Sequence, residues 1–130
     1  MRFMLLQAYG AVESDCPPMS EWSPEDVKAH LEFQEALNEE LMERGELVDA
    51  QALTPPELAK FVVSDGVGPP VVTDGPPGSK ALVAGYRIVD VDTLERAIEI
   101  AARSSAAPGP NGVPVRQRIE VREMMTVADS

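Results

Sequence analysis

The stretch that most constrains the fold runs from Phe61 to Val91 and reads FVVSDGVGPPVVTDGPPGSKALVAGYRIVDV. It contains two short β-branched runs, a turn signal at Asp74-Gly75-Pro76-Pro77, and a long apolar run from Ala81 to Val91. Apolar runs bounded by Gly, Pro and Asp are typical of strands joined by tight turns. The stretch therefore predicts the middle of one small antiparallel sheet, around which the rest of the chain packs.

Length and charge limit the class of protein. A chain of 130 residues with a 44% hydrophobic fraction predicts one globular domain over residues 1–130, long enough to bury a core without disulfides. A net charge of -11 argues against nucleic acid and against anionic membranes as partners, since both are negatively charged.

Cysteine and histidine are too few for the common metal sites. With one cysteine and one histidine, neither an internal disulfide nor a Cys/His zinc cluster can form, and we expect no metal and no cofactor. The opening MRFMLLQAYG is too short an apolar run for a signal peptide, and no long apolar stretch suggests a membrane helix. A cytoplasmic location is expected.

Two helices are predicted. Ser23-Pro24 has the form of a helix start and Gly45 of a helix end. Asp92 and Glu95 form a capping box that opens a second helix, ending near Arg103. At 100° per residue, the buried positions are predicted to be Val27, Leu31, Leu37, Leu41 and Met42 in the first helix, and Leu94, Ala97, Ile98 and Ala101 in the second.

Further strands complete an α+β fold. They are predicted at Arg2–Tyr9, 46–53, 58–64 and 117–125, while residues 104–115 are expected to form a flexible loop and residues 126–130 a frayed tail. The order β, α, β, β, β, α, β is that of a ferredoxin-like split βαβ fold with an elaborated middle hairpin. Because Arg2–Tyr9 is apolar on both alternating sets, we expect a second subunit to cover the open face of the sheet and form a homodimer.

The segment DGPPGSKALVAGYRIVDVDTLERAIEIAAR resembles the DGPF-motif branch of the YCII-related family. The opening MRFMLL, the central LNEELMERGELVDAQAL and the closing IEVREMM extend the resemblance over most of the chain. It implies ferredoxin-like subunits that pair into a dimeric α/β barrel. Two positions depart from the pattern, because Pro77 replaces an aromatic residue and Ala81 an acid.

The most unusual feature of the first helix is a polar ridge at i, i+4 spacing, consisting of His30, Gln34 and Asn38, within the apolar arc. It could aim hydrogen-bonding groups into a pocket between helix and sheet, with His30 as an acid or base near neutral pH. Alternatively, His30 lies at the margin of the arc with its polar tip satisfied by backbone or water. The resemblance implies a His–Asp pair in some relatives, whose His corresponds to Asn38.

Four other polar residues are candidates for the same site. Asp74 is either a carboxylate at the mouth of a cleft or a turn residue bonded to its own backbone. Tyr86 is either an orienting group or a core residue with a satisfied hydroxyl. Asp49 and Gln51 could face the cavity of the ridge, with Asp49 pairing with His30.

Three arginines are the candidate anion ligands. Arg87, Arg118 and Arg122 either line an anion pocket or only offset the acidic excess, and Arg118 is assigned to substrate binding.

Two hypotheses of function follow. In the first, a homodimer binds a small polar or carboxylate-bearing molecule and, if it is an enzyme, catalyses cofactor-free proton transfer or hydrolysis. His30 or Asp74 is then the acid-base group and Tyr86 the orienter. In the second, the chain is a non-catalytic dimerisation or regulatory module. Convergence of the polar ridge and Asp74 on one cavity would favour the first.

Overall fold

The computed structural model describes residues 1–9, 17, 19–54, 58–74 and 82–125, and within them the chain has an α+β fold. The elements are β1 (Arg2–Tyr9), a 3-10 turn (Met19–Glu21), α1 (Pro24–Glu43), β2 (Leu47–Ala52), β3 (Lys60–Val63), β4 (Val71–Asp74), β5 (Leu82–Asp90), α2 (Leu94–Ser105), a 3-10 turn (Pro110–Gly112) and β6 (Ile119–Glu123). Residues 75–81, which contain most of the predicted Asp74 turn, and the tail 126–130 lie outside the described residues.

Four strands form an antiparallel sheet in the order β2-β5-β1-β6. The two central strands are the two longest apolar runs of the sequence, because a central strand is covered on both faces. An antiparallel sheet of this order with two helices is compatible with a ferredoxin-like fold, as the element order predicts.

The prediction that the whole stretch from Phe61 to Val91 lies in one sheet is wrong. Only β5 belongs to the four-stranded sheet, whereas β3 and β4 pair with each other in a separate hairpin. The hairpin turn is held by Asp65, whose Oδ1 accepts hydrogen bonds from the backbone N–H groups of Val67 and Gly68 at 2.9 and 3.0 Å. The two strands have four residues each, and their backbone N–H and C=O groups pair with each other and not with the main sheet.

Helix α1 begins and ends where its capping residues predict. Ser23 Oγ accepts a hydrogen bond from the backbone N–H of Asp26 at 3.2 Å. Gly45 follows the helix with φ of 72°, a left-handed conformation that glycine adopts without steric penalty.

The cap of α2 lies one residue beyond the predicted Asp92. Thr93 has extended backbone angles, and its Oγ1 accepts from the backbone N–H of Arg96 at 3.1 Å. The helix also runs through Ser104 and Ser105, so the predicted loop begins too early. Beyond the helix, Ala107 is fully buried and bonds Val115 through its carbonyl, which gives this segment packing that its composition does not indicate.

Both helices pack on one face of the sheet, but each is rotated from its predicted arc. Leu31 and Met42 of α1 are 54% and 65% exposed, and His30 is buried in their place. In α2, Leu94 and Ile98 are exposed, whereas Ala97 and Ala101 are buried as predicted. The buried core consists of Phe3, Leu5, Leu37, Leu41, Val89, Val91, Ala97, Ile100 and Ala101.

Gly85 lets β2 approach β5 closely. A Cβ atom built on Gly85 would lie 2.8 Å from the backbone oxygen of Gln51 and 3.0 Å from Oε1 of Gln7. The nearest atom is backbone in a paired strand and cannot move aside without disturbing the pairing. Gly85 therefore fixes the edge of the sheet that faces α1.

We expect Gly85→Ala to lower the free energy of unfolding by about 1–3 kcal/mol, as overpacking does, measured by urea denaturation. Gly68→Ala is the matched control, because a Cβ at Gly68 meets nothing within 4 Å, and we expect it to change stability by less than about 0.5 kcal/mol. Equal stability of the two variants would contradict the close approach at Gly85.

Candidate functional site

A cavity of about 580 Å³ lies between α1 and the sheet. All three residues of the polar ridge line it, because α1 turns this face, and not Met42, toward the sheet. The other lining residues are Gln7, Met19, Ser20, Val27, Leu31, Ala50, Gln51, Ala52, Leu53, Ala84, Tyr86, Arg87 and Gln117.

Arg87 of β5 lines this cavity with a side chain that is almost entirely buried. The residue is 4% exposed. Its Nε donates to Oδ1 of Asn38 at 2.7 Å and its Nη1 to Oγ of Ser104 at 2.7 Å. Its Nη2 donates to Oε1 of Gln34 at 2.6 Å and to the backbone oxygen of Gln34 at 3.3 Å. The guanidinium thus joins β5 to both helices.

The charge of Arg87 is not balanced by its neighbours. Among the described residues its hydrogen-bond partners are all neutral, and none of the ion pairs there includes it. Burial lowers the pKa of Arg87 to about 10, because loss of water disfavours the charged form. Within the described part of the chain, the cavity therefore contains a desolvated cation without a counter-charge, which attracts an anion.

Arg87 also orients the amides around it. A guanidinium only donates, so the side-chain oxygens of Gln34 and Asn38 face Arg87 and their NH₂ groups point away from it. Ser104 Oγ accepts a second bond from Nε2 of Gln7 at 3.2 Å. Both amides of α1 near the cation are therefore left with donors for a ligand.

His30 is held by two contacts. Its Nδ1 lies 3.0 Å from the backbone oxygen of Pro108, and because a carbonyl only accepts, Nδ1 carries the proton. The Trp22 ring packs edge-on, with centroids 5.4 Å apart. The residue is 9% exposed. Backbone satisfaction of one ring nitrogen fits the structural interpretation of His30, but its position in the cavity wall also leaves the functional one open.

Asp49 bonds to Tyr86 and not to His30. The Tyr86 hydroxyl donates to Oδ2 of Asp49 at 2.9 Å, and Gln51 Nε2 donates to Oδ1 of Asp49 at 3.4 Å. In the register, Ala50 pairs with Arg87 and Gln51 with Tyr86, so strand alternation places Asp49, Gln51 and Tyr86 on the opposite face from Arg87. Gln51 and Tyr86 line the cavity, whereas Asp49 does not.

Asp74 and Arg118 lie away from the cavity lining. Asp74 ends β4 in the separate hairpin, and its exposed carboxylate pairs with Lys60. Arg118 is exposed just before β6, and its backbone oxygen accepts from the N–H of Ala8 at 3.1 Å. Of the residues predicted for the site, His30, Gln34, Asn38, Gln51 and Tyr86 border the cavity, but strand alternation directs the side chains of Gln51 and Tyr86 to the opposite face of the sheet from Arg87.

Sequence reasoning missed Gln7 and Ser104 and assigned Arg87 no fixed role. Ser104 was placed in the loop after α2, although it is on the inner face of the last helical turn. A polar residue at i+7 from the buried Ala97 is the signal that could have revealed it.

Within the described residues, no three His, Cys, Asp or Glu side chains are grouped as a metal site would require. Nor does any helix there have the length and apolar character needed to cross a membrane.

Asp49 raises the pKa of Tyr86, chiefly because the neutral hydroxyl donates to the carboxylate and, less, through burial and repulsion of tyrosinate. We expect Asp49→Asn to lower this pKa toward its ordinary value, measured by ultraviolet titration in a Tyr9→Phe background, where Tyr86 is the only tyrosine. Asp74→Asn removes the same charge from the hairpin and should leave the titration unchanged. The assignment of the shift to Asp49 would be contradicted if Asp74→Asn lowered the pKa of Tyr86, or if Asp49→Asn left it unchanged.

Comparison with known families identifies the domain. The model of the YCII-related domain matches residues 1–120, whereas no curated protein matches the chain. The match covers β1, β2, β5, both helices, the first two residues of β6 and all residues of the cavity, which confirms the expected resemblance to the YCII-related family. The chain belongs to the YCII-related family.

Proposed function

We propose that the cavity binds a small molecule carrying a carboxylate, which pairs with Arg87. The observation that carries this proposal is the buried guanidinium, whose hydrogen-bond partners among the described residues are all neutral. Burying a cation without a counter-charge is unfavourable, and a bound carboxylate removes that penalty. The pairing is specific to anions, since a neutral ligand leaves the charge uncompensated.

Hydrogen-bond capacity also supports an anionic ligand. Nη1 of Arg87 donates only to Ser104 within the described residues and keeps one N–H available, since it carries two. The NH₂ groups of Gln34 and Asn38 lie beside it as further donors. A carboxylate accepts at both oxygens, and hydrogen bonds to charged groups are worth about 1.5–3 kcal/mol each.

Proton transfer to or from the bound molecule, without a cofactor, is assigned to His30, which lines the cavity that contains Arg87 and carries a group able to act as acid or base. The role of Tyr86 as orienting group stays a prediction from the sequence, because its hydroxyl bonds Asp49 on the opposite face of the sheet. The catalytic role of Asp74 stays a prediction, because its carboxylate pairs with Lys60 on the hairpin.

A second candidate function is that of an interaction module, and it rests on the hairpin. Its valines are exposed on both strands and the turn, with Val67 93% exposed. Two-stranded hairpins are marginal alone in water, and contact with another protein would stabilise this one. Both functions are compatible in one chain.

We further propose a homodimer in which the face of the sheet away from the helices meets its counterpart, giving a split βαβ subunit in a dimeric α/β barrel. Met4, Leu6 and Ile88 share that face and are only partly buried within one chain. A cytoplasmic location and membership of the DGPF-motif branch stay predictions from the sequence.

Arg87→Met should weaken the binding of benzoate at least tenfold, since it removes a charge-assisted hydrogen bond of about 1.5–3 kcal/mol. Affinity is measured by titration calorimetry. Benzamide, the neutral analogue, should bind poorly to both proteins. Arg118→Met is the charge-matched control, because Arg118 is exposed and outside the cavity lining, and it should bind benzoate as the wild type does.

Arg87→Lys keeps a cation and serves as a second variant if Arg87→Met does not fold. It should retain part of the benzoate affinity. Unchanged affinity in Arg87→Met, or an equal loss in Arg118→Met, would overturn the assignment to Arg87.

For the dimer, sedimentation equilibrium should give twice the mass of 14.0 kDa at micromolar concentration. Ile88→Glu should shift the protein to monomer, because it places a charge on the covered face. Val67→Glu changes an exposed hairpin residue and should leave the dimer intact. A monomeric wild type would exclude the dimer, and dissociation by Val67→Glu alone would move the interface to the hairpin.

A further inference from the structure

We propose that the ligand is a hydroxycarboxylate with an apolar body, bound with its carboxylate at Arg87 and its hydroxyl donating a hydrogen bond to Nε2 of His30. This inference rests on the proposed carboxylate site. It adds the identity of the group at the other end of the ligand.

The Arg87 end of the cavity offers donors. The guanidinium has no acceptor, and it holds the side-chain oxygens of Gln34 and Asn38, which leaves their NH₂ groups as donors. A ligand group here must therefore accept hydrogen bonds. The donor of a hydroxyl or an amide N–H would find no acceptor here, whereas the oxygens of a carboxylate accept hydrogen bonds from these donors.

The His30 end offers an acceptor. Because Nδ1 donates to the carbonyl of Pro108, the neutral ring has its lone pair on Nε2. No hydrogen bond within the described residues engages Nε2, and no buried side-chain nitrogen there lacks a partner. Nε2 is therefore accessible, and His30 is in the cavity wall. A ligand group that meets it must donate.

Helix geometry sets the distance between the two ends. His30, Gln34 and Asn38 follow at i, i+4 spacing, so each step along the helix axis is about 6 Å. Arg87 bonds both Gln34 and Asn38 and thus lies beside the far half of the polar ridge. The donor and acceptor ends are therefore separated by about 6–12 Å along the helix axis, since Gln34 is one step and Asn38 two steps from His30. A six-membered ring with substituents at opposite ends and a hydrogen bond at each end can bridge this span.

The walls between these ends are apolar. Val27 and Leu31 of α1 line the cavity together with Ala50 and Ala52 of β2, whose register places them on the same face of the sheet as Arg87. The alanines leave space beside the strands that larger residues would fill. This slot suits a flat apolar ring, and Trp22 fixes the imidazole at its end by an edge contact.

The test uses four probes of one shape, namely benzoate, para-hydroxybenzoate, para-methoxybenzoate and phenol, titrated into the full chain by calorimetry. We expect para-hydroxybenzoate to bind about fivefold to tenfold more tightly than benzoate, the value of one neutral hydrogen bond. Para-methoxybenzoate cannot donate and should not gain. Phenol lacks the carboxylate and should bind weakest.

Two His30 variants locate the acceptor on the ring. His30→Asn can keep the donor to Pro108 but has no atom at the place of Nε2, and it should bind benzoate and para-hydroxybenzoate equally. His30→Gln places an amide oxygen near Nε2 and should restore part of the preference. Thermal unfolding of each variant checks that the fold is retained.

The outcomes separate the two proposals. If benzoate itself does not bind, the carboxylate site fails. If benzoate binds and the hydroxyl adds nothing, or if His30→Asn keeps the full preference, the carboxylate site stands and the hydroxyl site is excluded.

Discussion

The structure depends on one buried guanidinium. Arg87 of β5 donates to Asn38 and Gln34 on α1 and to Ser104 on α2, so a single side chain determines how both helices lie on the sheet. A hydrophobic core alone, which is not directional, would not fix these rotations.

This arrangement explains why α1 has a polar ridge where an apolar stripe is expected. A buried cation needs acceptors around it, and the ridge provides two amide oxygens at one helical spacing. Met42 is displaced from that face and is 65% exposed, and Leu31 borders the open cavity and is 54% exposed. Burying these two side chains would have increased stability. The fold instead leaves them exposed beside a charged, partly open cavity, as is typical of sites that bind ligands.

The hairpin of β3 and β4 is a two-stranded sheet separate from the main sheet. Its strands satisfy their hydrogen bonds with each other, and its ion pair between Lys60 and Asp74 is exposed. Such a pair adds little stability in water. Asp74 is therefore a residue of the hairpin and not of the cavity, whose described lining residues lie outside β3 and β4.

The sequence by itself determined the elements, because caps and periodicity are local. Ser23 and Gly45 predict α1, and the apolar character of Arg2–Tyr9 on both faces predicts the central strand, each within a residue or two. The polar ridge marks the cavity wall. Helix rotation, the separation of the hairpin and the pairing of Asp49 with Tyr86 were decided by tertiary structure. These depend on contacts such as Arg87 with Ser104, which lie 17 residues apart, and periodicity within one helix carries no information on the charge it will face.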